Sequence, residues 1–216
     1  MADLNIDLAN FSKNLFLYPK SFFRKYIGER KPPFFALAIL VFCIGYGIDQ
    51  VDRRLGRYDG LDKISRFNHL NIWGVYWINV LIGGIIGGFV LYLIGGWFFN
   101  VRLKWSKGTS NITKSRYIYL YSEAVSSVVF IIITLVSMFI NDKPYKFGSM
   151  FNWWGYLSLT LRLFALYYSV YVSYCGVRIA TDADKRRGRI WFLILPVATY
   201  TVAYLSVFIL IIKYIN

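Results

Sequence analysis

Two charged residues, Glu123 and Arg162, stand inside otherwise apolar stretches, and their types and surroundings mark them for chemistry. A charge at the centre of a membrane helix costs at least ~2.5 kcal/mol, so one that persists there usually serves a purpose. At 100° per residue, Tyr119, Ser126, Ser127, Thr134 and Ser137 fall within about 60° of Glu123 on a helix. Gly155, Ser158, Ser169, Ser173 and Gly176 cluster around Arg162 in the same way. Each charge thus centres a small and polar stripe, which should face protein rather than lipid. The heights of Glu123 and Arg162 match only if the helix carrying Arg162 projects about two turns beyond the bilayer. The expectation is a Glu123–Arg162 pair. Three readings are open: a structural lock between two helices, a site (with Ser126, Ser127 and Ser158) that moves a proton, ion or anionic headgroup, or two separate snorkelling charges.

The rest of the inventory offers little reactive chemistry. Cys43 and Cys175 each lie alone in an apolar run and read as small buried hydrophobes. His69 is the only histidine, so a histidine-based metal site cannot be built. Asp182 and Asp184 sit in the basic run TDADKRRGR. One loop carboxylate pair is weak support for a metal, and a solvated loop near lipid headgroups is the expectation. There is no nucleophile–base pair, zinc motif or phosphate-binding loop, so neither enzyme activity nor a cofactor is expected.

The elements that must position these residues are written in the hydropathy. The chain of 216 residues is 57% hydrophobic, 20% aromatic and only 17% charged. Such a surface would aggregate in water and suits lipid. The net charge of +14 falls in short gaps between apolar runs. A nucleic-acid binder would gather it on a solvated face, so a nucleic-acid partner is excluded. Five runs can cross a bilayer, at about 33–50, 73–101, 117–140, 151–177 and 190–212. The first, FFALAILVFCIGYGI, is short and follows Lys31-Pro32-Pro33; the last contains Pro196. All seven tryptophans fall near span ends, as interface residues should. The fold class predicted is an all-α integral membrane protein: a five-helix transmembrane bundle over 33–216, preceded by a segment over 1–32 with amphipathic interfacial helices.

Within that segment, SFFRKYIGER places Phe22, Phe23, Tyr26 and Ile27 opposite Lys20, Arg24 and Lys25. Such a helix either lies flat in the interface or packs on the end of the bundle. Lys20, Arg24, Lys25, Arg186 and Arg187 are the expected contacts for anionic headgroups. Lys and Arg in the N-terminal segment and in the second and fourth connections outnumber those on the other side about two to one. The other side includes Lys63, Arg66, Lys146 and Lys213. The positive-inside rule then puts the N-terminus in the cytoplasm and the C-terminus outside. In the second span Gly84, Gly88 and Gly95 share a face, which suits close helix packing within the chain or between copies.

The chain resembles the Yip-type family of small membrane proteins, named for binding Ypt/Rab GTPases. The likeness rests on YPKSFFRKY (Tyr18–Tyr26), on the glycine-rich span running into a basic loop, GGFVLYLIGGWFFNVRLKWSKG, and on two last spans joined by a short basic loop. The Asp-Leu-Tyr-Gly-Pro motif of eukaryotic members is absent. The resemblance therefore implies a bacterial-type member in the inner membrane and carries over no GTPase partner. It implies a non-enzymatic scaffold or adaptor in membrane organisation or trafficking that meets lipids, other membrane proteins or a second copy. The alternative is a small transporter, channel or lipid-translocating protein built on Glu123 and Arg162.

Overall fold

A computed structural model describes residues 7–27, 32–59, 69, 71–145 and 153–215, with side chains described to Arg57 and to Ser206 in the second and last of these segments. The cations Arg30, Lys31, Lys63, Arg66 and Lys146 and the side chain of Lys213 lie outside them. Regular structure among the described residues is wholly helical: α1 (Leu8–Leu17), α2 (Pro19–Tyr26), α3 (Phe35–Asp59), α4 (Trp73–Trp105), α5 (Ile112–Ile140), α6 (Trp153–Ala180), α7 (Lys185–Arg189), a π-helical turn (Ile190–Ile194) and α8 (Leu195–Ile215). Five helices are long and apolar enough to span a membrane: α3, α4, α5, α6 and the continuous run from α7 into α8. The protein is an all-α, multi-pass membrane protein.

The helices outrun the apolar stretches that announce them. Helix α3 continues past Ile48 because Ile44, Ile48, Val51 and Leu55 keep an apolar stripe at helical spacing through the charged residues; the last three are almost fully buried. Asp52, Arg53 and Arg54, which lie beyond the expected end of that span, are therefore helical. Helix α5 starts at Ile112, where the Asn111 side chain caps it by accepting from the Lys114 amide at 3.0 Å.

Helices α3, α4 and α5 pack on one another, and α6 packs on α5. Glycine decides how closely α3 and α4 approach. A side chain at Gly84 would reach 2.5 Å from the Cys43 carbonyl, and one at Gly88 would reach 2.8 Å from the Cys43 Cα. Gly47 fits against the Val80 carbonyl in return. The glycine face is thus consumed within the chain; Gly95, about two turns beyond Gly88, accommodates the Tyr119 ring of α5. The last span stands apart, with only 11% of it buried inside the protein.

The N-terminal helices dock on the bundle. Phe11, Phe22, Phe23, Tyr26 and Ile27 are at most 5% exposed. Phe11 and Phe22 pack on the Tyr121 ring of α5, with centroids 5.9 and 5.2 Å from it, and Tyr26 packs on both of them. The Tyr121 hydroxyl donates to the Pro33 carbonyl at 2.9 Å. Gly176 on α6 makes room for the Phe23 ring. Of the two placements open to the amphipathic segment, its apolar face therefore meets protein, because aromatic side chains of α5 and α6 offer a better-packed partner than acyl chains. Leu8, Leu17 and Tyr18 remain exposed on α1's outer side.

A clasp closes the same end. The Thr109 amide and hydroxyl both donate to Asp182 Oδ1, at 2.9 and 2.7 Å, and the Asp184 amide donates to the Ser106 carbonyl at 2.9 Å. Asp184 also caps α7 by accepting from the Arg187 amide. Hydrogen bonds from Thr109 hold the Asp182 carboxyl below the usual range, and the Arg187 amide does the same for Asp184. The acidic pair is thus engaged in tying two loops together, and no group of His, Cys, Asp and Glu among the described residues is arranged for a metal.

Candidate functional site: two charge centres in the bundle

The two intramembrane charges belong to separate centres. Arg162 Nη1 pairs with Asp52 Oδ2 at 2.7 Å. The second oxygen, Oδ1, accepts from the Tyr76 hydroxyl at 2.9 Å. The guanidinium also lies over the Phe130 ring, 5.5 Å from its centroid. One residue from each of α3, α4, α5 and α6 thus converges here. Both carboxylate oxygens are engaged, and the ion pair is roughly three-quarters buried, with side-chain exposures of 26% and 29%. This centre lies towards the end of the bundle where α3 finishes and α6 begins, remote from the N-terminal helices.

The pair expected between Arg162 and Glu123 is not formed. Among the described residues the Glu123 side chain makes no ion pair and no hydrogen bond; its backbone carbonyl accepts from the Ser126 and Ser127 hydroxyls at 2.9 Å each. The reason is helix length. Helix α6 ends at Ala180, leaving Arg162 about 27 Å from that end at 1.5 Å per residue. Asp52, on the hidden continuation of α3, stands at Arg162's height instead.

The second centre lies towards the N-terminal end. Glu123 is half-buried, and the cation whose charge it feels is Arg102 of α4. Tyr119 and Tyr200 also lie within range of its charge. Arg102 is held by the last span. Leu195 donates its amide to Ile190 in the π-turn, and Pro196 has no amide to give. The Trp191 carbonyl is therefore left without an intrahelical donor, and Arg102 Nη2 supplies one. The guanidinium lies over Phe192, 4.5 Å from the ring centroid. Its Nε is buried and has no acceptor; the same holds for Arg116 Nε on α5.

The other expected site residues divide cleanly. Ser126 and Ser127 are buried, and Gly45 of α3 makes room for Ser127. Ser158 is half-buried and donates to the Gly155 carbonyl. Lys20, Arg24, Lys25, Arg186 and Arg187 are all exposed. They gather at the end carrying the docked helices and the clasp. Asp52, Tyr76 and Arg102 were missed, because each sits where a charged or interfacial stretch looked like the edge of a helix.

Comparison with curated proteins and with solved structures gave no match. Comparison with protein families matched residues 13–208 to the Yip1 domain, a stretch that takes in the second half of α1, all of α2, α3 to α7, most of α8 and both charge centres. The chain therefore belongs to the Yip1 domain family of membrane proteins.

Proposed function

We propose that this protein is a non-enzymatic scaffold or adaptor of the Yip type. It sits in the bacterial cytoplasmic membrane with its N-terminus in the cytoplasm, as the distribution of basic residues favours. The observation that carries this reading is the organised N-terminal end. Helices α1 and α2 are fixed to the bundle by buried aromatics, and the clasp from Asp182 and Asp184 fixes the loops beside them. Lys20, Arg24, Lys25, Arg186 and Arg187 are thereby presented from a rigid base. A preordered cationic surface loses little entropy on meeting an anionic membrane or an acidic partner.

The test is crosslinking in native membranes, comparing the unmodified protein with a variant carrying Lys20→Glu, Arg24→Glu and Lys25→Glu. The reading expects specific partners to be lost while melting in detergent is unchanged. The same partners captured by both proteins would contradict it. Translocation of an ion or lipid is a second reading, favoured by the unpartnered carboxylate of Glu123. Liposome flux that disappears in Glu123→Gln would support translocation over the adaptor role.

A further inference from the structure

Helix α1 does not close completely on the flank of the bundle. An apolar cavity of about 100 Å³ remains between α1, α3 and α5. Small residues, Ala38 of α3 and Ala124 of α5, make its floor, and both are nearly inaccessible. Leu8 and Leu37, 49% and 42% exposed, stand at its open side. Water does not suit this space. The side-chain hydroxyls on its walls belong to Ser12 and Tyr121, and both already donate, to the Ala9 carbonyl at 3.0 Å and the Pro33 carbonyl at 2.9 Å. A water needs two to four polar partners, so an apolar cavity stays dry. Left empty, its walls forfeit dispersion contacts.

Depth indicates what fills it. Along α3 the wall runs from Phe34 to Val41, and along α5 from Tyr121 to Val128. Each rises about 10 Å along the bundle. The hydrocarbon of one leaflet is about 15 Å thick. The groove therefore starts where the chain enters the membrane, beside the docked α1, and runs through much of one leaflet. Its mouth is also the strained point of this region. Phe34 has a left-handed φ of 54°, which bulky residues seldom adopt. Its ring is held against Phe11, with centroids 5.0 Å apart. Strain of this kind persists where the surroundings enforce it, as at ligand clamps.

We propose that this groove is a site for one acyl chain of a glycerophospholipid, taken from the leaflet on the side of the docked helices. A narrow, dry channel floored by alanines suits an unbranched chain, which the membrane supplies at that depth. A chain seated there touches three helices, whereas lipid along the outer face of α4 touches one. The headgroup also finds a partner. Lys13, next to Ser12 on α1, is exposed and makes no ion pair among the described residues, so a phosphate at the mouth meets a cation. This inference is independent of the adaptor reading.

Photolabelling of the full chain in nanodiscs tests it, using phosphatidylglycerol with a diazirine midway along one acyl chain and peptide mass spectrometry to place the adducts. Ile82 and Ile86 of α4, 60% and 66% exposed, report ordinary lipid contact. Label on Val41, Ala124 and Val128 should exceed theirs at least about fivefold, the preference expected from burying one or two further methylenes. Ala124→Leu fills the groove, so label on Val41 and Val128 should fall to the level of α4 while α4 itself is unchanged. Leu37→Trp, which blocks the mouth from an exposed position, should do the same. Label spread evenly over the lipid-facing residues of the unmodified protein would overturn the proposal, whether or not either variant folds. Absence of label from the groove would also overturn it and show that protein covers the site. So would labelling that survives both substitutions. A free fatty acid bearing the same diazirine should label the groove less than the phospholipid; equal or stronger labelling would overturn the phospholipid assignment.

Discussion

The two charge centres of the bundle use the same chemical groups to opposite ends. At Asp52–Arg162 every acceptor oxygen of the carboxylate is engaged, by Arg162 and Tyr76, and an aromatic ring covers the guanidinium. At Arg102–Glu123 the cation is spent partly on a backbone carbonyl and the carboxylate is left open. Four helices meet at the first centre. The second is bordered by a span that hardly packs. A closed centre can hold helices together, whereas an open one keeps capacity for something else. The lesson is that an intramembrane charge must be read with its partners before it is given a role.

The largest effect should come from opening the closed centre. Asp52→Asn leaves Arg162 buried without a counter-ion and should destabilise the bundle by about 3 kcal/mol, read by thermal melting in one detergent. Second comes a packing control that touches neither charge. Gly84→Leu drives a side chain into the Cys43 carbonyl and should cost about 2 kcal/mol with m-value and secondary structure unchanged. If Gly84→Leu is neutral, the α3–α4 contact is looser than described and the closed centre loses its frame.

The open centre should behave in the contrary way. Glu123→Gln removes a carboxylate that has no partner, so stability should change by less than about 1 kcal/mol, with no loss expected. A cost as large as that of Asp52→Asn would erase the distinction between the centres. Beside the open centre, Lys107 follows the end of α4 with a left-handed φ of 57°, a conformation better suited to glycine. Lys107→Gly should stabilise by about 0.5 kcal/mol, measurable in the same melts.

The clasp supplies the smallest effect and a pH dependence. Asp182 and Asp184 titrate below the ordinary aspartate range when folded. Their contribution is therefore present above the unfolded aspartate value and fades as pH falls through the lower folded values. Amide exchange in the loop after α4 should speed up, relative to the intrinsic rate, only under that acidic condition. Asp182→Asn should produce the same loosening at neutral pH. Unchanged protection at Thr109 in that variant would show that the clasp does not depend on the carboxylate.

Much of the architecture was legible in the sequence because hydropathy measures the solvent directly. The membrane class, the spans and the inward-facing serines of α5 follow from apolar length and helical phase. The glycine face was also visible, since close approach needs only the absence of a side chain, though the sequence left open whether α3 or a second copy would fill it. The partner of Arg162 was hidden because hydropathy ends a span at the first charges. The stripe of Ile44, Ile48, Val51 and Leu55 was the available sign that α3 ran on to carry Asp52. Arg102 was hidden for a different reason. Pro196 announces that a carbonyl will lack its donor, but which side chain fills the gap is decided by tertiary contact between α4 and the last span.

A double-mutant cycle in thermal stability tests the central claim most directly. Asp52→Asn, Arg162→Gln and their combination form one cycle, and Glu123→Gln with Arg162→Gln forms the other. The account expects a coupling of about 2 kcal/mol in the first cycle and none beyond about 0.5 kcal/mol in the second. Coupling between Glu123 and Arg162, with none between Asp52 and Arg162, would contradict it.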